Sequence, residues 1–146
     1  MQDNIEEAVE KSCIFVKENE IQVTTTQESE IKALTLTSQN LQRGNKFTLE
    51  NGAITVGEGV TAVRVSVMAN IASQSDGSTY QRLQVMKNNE AYGLMTTARN
   101  NKDFASNHSL TLLMPVKQGD VISLTVFNRL PGTLLLTYIG LTVEEI

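Results

Sequence analysis

From residue 31 onward the chain is written largely in period two. Val63, Val65, Val67 and Ala69 alternate with Arg64, Ser66 and Met68, and Leu83 and Val85 alternate with Arg82 and Gln84. An extended strand turns successive side chains to opposite faces, so this pattern describes strands with one buried and one wet face. Such runs occupy 31–37, 46–49, 53–56, 60–72, 80–87, 90–97, 109–115, 121–128 and 134–143. In 31–37 the inward set is either Ile31, Ala33 and Thr35 or Leu34 and Leu36. No helical segment separates the runs, and parallel strands need long crossovers, so the expected sheets are antiparallel. Short strands at this spacing predict an all-β sandwich over 31–146.

The punctuation agrees. Asn51-Gly52 and Asn88-Asn89 tolerate the positive φ of tight hairpins, and Gly57-Glu58-Gly59 and 117–120 read as further turns. Pro115 and Pro131 fall at strand ends, where a missing N–H costs little. The segment 39–45 is polar and reads as a connection. Residues 1–30 differ. Asp3-Asn4 can cap a short helix with Ile5, Ala8, Val9 and Ser12 on one stripe, while 13–16 and 21–23 read as a small hairpin. The expected organisation is an N-terminal helix, arm or hairpin over 1–30 followed by the sandwich.

Composition narrows the function classes. The net charge is -4 and no Lys/Arg cluster occurs, which excludes the cationic surface that nucleic acid or an anionic membrane requires. The longest apolar runs are too short to span a bilayer, and 1–10 is acidic rather than basic-then-apolar, so no signal peptide and synthesis in a bacterial cytoplasm are expected. Cys13 is the single cysteine and His108 the single histidine, so neither a His/Cys metal cluster nor a histidine triad is anticipated. No phosphate-cradling glycine motif is present. The expectation is a protein without catalytic residues, metal or cofactor.

Four landmarks in order carry a family resemblance. K-F-T-L-E-N-G-A-I-T-V at 46–56 with G-E-G-V-T-A-V-R-V-S-V at 57–67 comes first, then R-L-Q-V-M-K-N-N-E at 82–90. S-L-T-L-L-M-P-V-K-Q-G-D-V-I-S-L-T-V at 109–126 and T-Y-I-G-L-T-V at 137–143 follow. This succession resembles the globular heads of the tumour necrosis factor and complement superfamily, in the form found in phage and prophage virion proteins. Val60-Thr61-Ala62 departs from it by lacking the usual aromatic, and there is no Trp. The resemblance implies a ten-strand jelly roll, a three-fold homotrimer, and a role as head fibre, tail-tip or baseplate protein located in the virion. The alternative within that fold is a bacterial surface or spore-coat protein. A small carbohydrate-active enzyme on a jelly roll needs two carboxylates facing one groove, and the expected inward positions offer none.

If the strands run up and down, 73–78, 99–107 and 129–133 collect at one end and the tight turns at the other. Loops on a rigid scaffold are where binding is usually placed. Asp76, Arg99, Asn100, Asn101, Lys102, Asp103, Phe104 and Arg129 are therefore the candidate binding residues for a cell-surface glycan or protein receptor. Strands 60–71 and 134–141 are apolar over more than one face, which makes Val63, Val65, Val67, Leu134, Leu136 and Tyr138 the candidate trimer contact. The N-terminal arm is the candidate contact to other virion proteins.

Overall fold

The computed structural model describes residues 10–74, 79–100 and 105–146, with backbone alone for 93–100. Twelve strands lie in these residues: β1 (Cys13–Glu18), β2 (Ile21–Thr25), β3 (Glu30–Ala33), β4 (Gln39–Arg43), β5 (Phe47–Glu50) and β6 (Ala53–Val56), then β7 (Ala62–Ser73), β8 (Thr79–Lys87), β9 (Glu90–Asn100), β10 (Ser106–Pro115), β11 (Val121–Asn128) and β12 (Gly132–Glu145). They form two sheets. Sheet A runs β10-β7-β12-β1-β4 with β2 also on β12, and sheet B runs β5-β6-β11-β8-β9 with β3 on β11. Every ladder is antiparallel. The expected all-β antiparallel sandwich is what the chain forms.

The hairpins close where the asparagines stand. Asn51 and Gly52 have φ of 52° and 79°, and Asn88 and Asn89 have 54° and 65°. Two successive left-handed residues match the twist of the flanking strands. Asn88 also accepts from Val121 N through Oδ1 at 2.8 Å and donates from Nδ2 to Asp120 Oδ1 at 2.9 Å, which ties one turn to the next.

Three expectations need correction. The polar stretch 39–45 is not simply a connection, because Gln39–Arg43 pairs with β1 at the edge of sheet A, where a strand need bury little. The segments at 13 and 21 form no hairpin. β1 and β2 lie end to end along β12, with Cys13 opposite Glu144 and Ile21 opposite Leu136, so the sandwich begins at Cys13 rather than 31. Ser12 is buried in the sandwich rather than on a helical stripe, its N–H donating to Glu145 Oε1 at 3.1 Å and its carbonyl accepting from Glu145 N at 2.8 Å. The remainder of the proposed helix or arm, 1–9, lies outside the described residues. In 31–37 the inward pair is Leu34 and Leu36, and Ile31 is 58% exposed.

The core lies between the sheets. From sheet A come Ile14, Val16, Val63, Val65, Val67, Ile71 and the inward residues of β12, and from sheet B come Phe47, Ile54, Val56, Leu83, Val85, Ile122, Leu124 and Val126. Strand β12 fills its share by changing phase. Leu134 and Leu136 point inward, then Ile139, Leu141 and Val143 do, and the register shift against β7 falls between Leu136 and Tyr138. Thr137 is the extra residue of a bulge, and its hydroxyl donates to Asn70 Oδ1 at 2.7 Å. Without it, one half of the strand would face the wrong way.

Deleting Thr137 is therefore expected to cost about 5 kcal/mol or more, since three fully buried apolar side chains would turn outward. Circular dichroism and urea titration check this. A deletion variant with near-native stability would show that the bulge is not what sets the phase.

Candidate functional site

The sandwich has two distinct ends. At one, Gln74 N donates to Thr133 O at 2.9 Å and Arg129 N to Tyr80 O at 3.1 Å, which joins the end of β7, the start of β8 and the turn between β11 and β12. A buried polar network lies beneath them. Asn128 Oδ1 accepts from Thr79 Oγ1 at 3.3 Å and Gln81 Nε2 at 3.4 Å, and Asn128 Nδ2 donates to Thr25 Oγ1 at 3.2 Å. Buried amides and hydroxyls are costly unless so paired, and among the described residues Gln81 Oε1 is the one buried side-chain oxygen here left without a partner. At the opposite end sit the tight turns. There Asp120 accepts from Asn88 and from Lys117 N at 3.0 Å, and these bonds, Asn88 foremost, hold its carboxyl below the usual range.

The candidate loop residues divide. Arg129 stands at the long-connection end, its guanidinium 3.4 Å from Glu28. Arg99 and Asn100 finish β9 with their backbone opposite Tyr80 and Thr79, which brings them to the same end. Asp76, Asn101, Lys102, Asp103 and Phe104 lie outside the described residues.

The candidate trimer contact is corrected by orientation. Val63, Val65, Val67, Leu134 and Leu136 are at most 1% exposed within the single chain and face its own core. In 134–136 only Leu135 turns outward, half-buried between Ala72 and Gln22, so plain alternation of three leucines is what reads as apolar on both faces. Only Tyr138 of the six lies on the outer side of sheet A.

That outer side is built by register. Across β10, β7, β12, β1 and β4 one row reads Leu113, Arg64, Glu144, Cys13, Arg43, and the next reads Thr111, Ser66, Thr142, Phe15, Leu41. Beyond them Ser109, Met68, Gly140 and Lys17 align, then Asn107, Asn70 and Tyr138. Met68 and Leu113 are each 59% exposed and Leu41 47%. A Cβ on Gly140 would come within 3.0 Å of the Tyr138 hydroxyl and 3.3 Å of the Phe15 ring, so glycine makes room for both. Asn70 Nδ2 donates to Asn107 Oδ1 at 2.7 Å, and these two with Met68 and Tyr138 border a hollow of about 420 Å³. Sequence reading missed Phe15, Met68, Leu113 and Leu41. The signal was present in their phase opposite the valines, once the valines are assigned inward.

His108 points into the sandwich, 4% exposed, with Nε2 3.0 Å from Ser106 Oγ. Burial pushes it below the ordinary 6.5. The folded chain therefore takes up this proton less readily than the unfolded one, so stability is full above about 6.5 and falls as pH drops below it, by up to about 1.4 kcal/mol per pH unit. Asp120 and Glu145, the latter lowered first by the Ser12 N–H, lose their contributions only in a more acid window. His108→Asn is expected to flatten unfolding midpoints between pH 7.5 and 5.5 relative to the unmodified protein. Equal pH slopes for both would mean that His108 is not the group responsible.

No protein-family model and no curated protein matches the chain. Among solved structures it is similar to murine APRIL, with a TM-score of 0.57 at 11% identity over 94% of this chain and 100% of that one. PRD1 vertex protein P5 gives 0.57 at 12% identity over 92% and 96%. The globular domain of zebrafish complement 1qA gives 0.56 at 18% identity over 90% and 95%. Likeness at such identities is likeness of fold. The landmark resemblance and the two-sheet topology agree on one conclusion: the chain folds as the jelly-roll sandwich of the tumour necrosis factor and complement globular heads.

Proposed function

We propose that this protein is a non-enzymatic structural and binding component of a phage or prophage particle, assembled as a homotrimer through the outer face of sheet A with its loop end presented outward. The observation that carries the reading is that face. Exposed Leu41 stands beside half-buried Phe15 at the β4 edge, exposed Leu113 stands at the β10 edge, and exposed Met68 and half-buried Tyr138 lie between, on a sheet whose other outward residues are mostly polar. Water is a poor neighbour for exposed apolar side chains on one face, and two further copies of the chain packed head-to-tail about a three-fold axis cover them at low cost. The fold shared with a phage vertex protein supports the particle assignment. Absence of enzymatic activity is supported by the fold shared with APRIL, the PRD1 vertex protein and the complement 1qA globular domain.

Sedimentation velocity is expected to show a species about three times 16.0 kDa. Met68→Arg and Leu113→Arg each introduce a charge at the contact and should weaken association about tenfold or more, or 1.4 kcal/mol. Both positions are exposed in the single chain, so circular dichroism should stay unchanged. A monomeric wild-type protein would count decisively against this reading. Mass spectrometry of purified particles tests the location, and a protein found only in the host envelope would sink the virion assignment.

A further inference from the structure

Sheet B carries a second cluster on its outer face, at the loop end. The rings of Tyr80 on β8 and Phe127 on β11 stand 5.7 Å apart, inclined by 33°. The Arg82 guanidinium carbon lies 5.3 Å from the centre of the Tyr80 ring and 5.1 Å from that of Phe127. The ladders put Phe127 opposite Arg82 on one side and opposite the exposed Ile31 on the other. Their neighbours Gln81, Leu83, Val126 and Asn128 are fully buried, so these side chains belong to the outward phase.

Among the described residues no carboxylate pairs with Arg82. The nearest acids along the flanking segment are engaged elsewhere. Glu30 contacts Lys32 Nζ at 3.1 Å and accepts from Thr26 N and Gln27 N, and Glu28 contacts Arg129. Attraction to aromatic rings uses the guanidinium's charge and leaves its five N–H donors available. A fixed cation with open donors is matched by a planar carboxylate, taken through two parallel hydrogen bonds. The adjoining rings offer flat apolar surface.

We infer that Tyr80, Arg82 and Phe127, flanked by Ile31, form a subsite for one carboxylate-bearing sugar unit of a glycan. One cation and two rings 5.7 Å apart match the carboxylate and the ring face of a single acidic pyranose, and an acidic peptide is the competing occupant that the test below separates. The inference rests on the reading of this protein as a binding module.

Titration calorimetry of the full chain with sialyllactose, trigalacturonate, lactose and tetraglutamate tests it. Both acidic saccharides should bind, and lactose should bind at least about tenfold more weakly. Arg82→Gln and Phe127→Ala should each weaken the acidic saccharides about tenfold, and Arg82→Lys should restore only part of the loss, since it returns the charge without the fork. Sedimentation and circular dichroism on the same samples establish that each variant keeps its fold and assembly. The inference is overturned by equal binding of lactose, by preference for tetraglutamate, by an Arg82→Gln variant that binds like wild type, or by no binding of either acidic saccharide up to about 10 mM. A folded trimer that fails to bind sinks this subsite alone, while a monomer sinks the assembly reading.

Discussion

Strand β12 is hydrogen-bonded to β7 along one side and to β1 and β2 along the other, so sheet A takes its register from how this strand keeps alternate side chains inside. Fourteen residues are a long run for one alternation over a twisted surface. The extra residue at Thr137 resets the phase partway, and the leucines before it and the Ile-Leu-Val set after it all reach the same apolar layer. Everything that faces outward follows from that choice. Tyr138 stands on the outer side only because the bulge precedes it, and the ring then lies over Gly140 beside Phe15.

Much of this arrangement could be read from the residues alone. The turns were legible because asparagine pairs and Asn-Gly state their backbone requirement directly, and β11 ends where its alternation ends. Edge strands were not. Gln39–Arg43 has little to bury, so its pairing with β1 leaves no hydrophobic trace. The line of β1 and β2 along β12 was equally hidden, because a polar break at Asn19-Glu20 looks the same whether the chain reverses or continues. The candidate contact surface suffered from a different ambiguity. Alternation shows that two faces exist without saying which one is inside, and the more apolar set, Val63, Val65 and Val67, belongs to the core. Of the loop residues, Arg129 could be located and most of the others lie outside the described residues.

Aromatic residues make the division between core and surface clearer. Of the six among the described residues, Phe47 alone is fully buried in the core. Phe15 and Tyr138 lie on the outer side of sheet A, Tyr80 and Phe127 on the outer side of sheet B, and Tyr92 beside Lys87 at 5.2 Å. The interior is filled by Val, Leu and Ile, which suit pleated strands. Large rings are placed instead where each can present one face outward, often with a cation nearby, as Lys17 is to Tyr138 at 5.6 Å.

Glu145 N donates to the Ser12 carbonyl at 2.8 Å and Ile146 N to Ala62 O at 3.2 Å, which laces the first residues of β1 and the last of β12 together at the pole of the tight turns. Prising either segment away therefore strips hydrogen bonds from the other, so the two part together or not at all. The opposite pole, with Arg129 and the ends of β8 and β9, takes no share in that lacing.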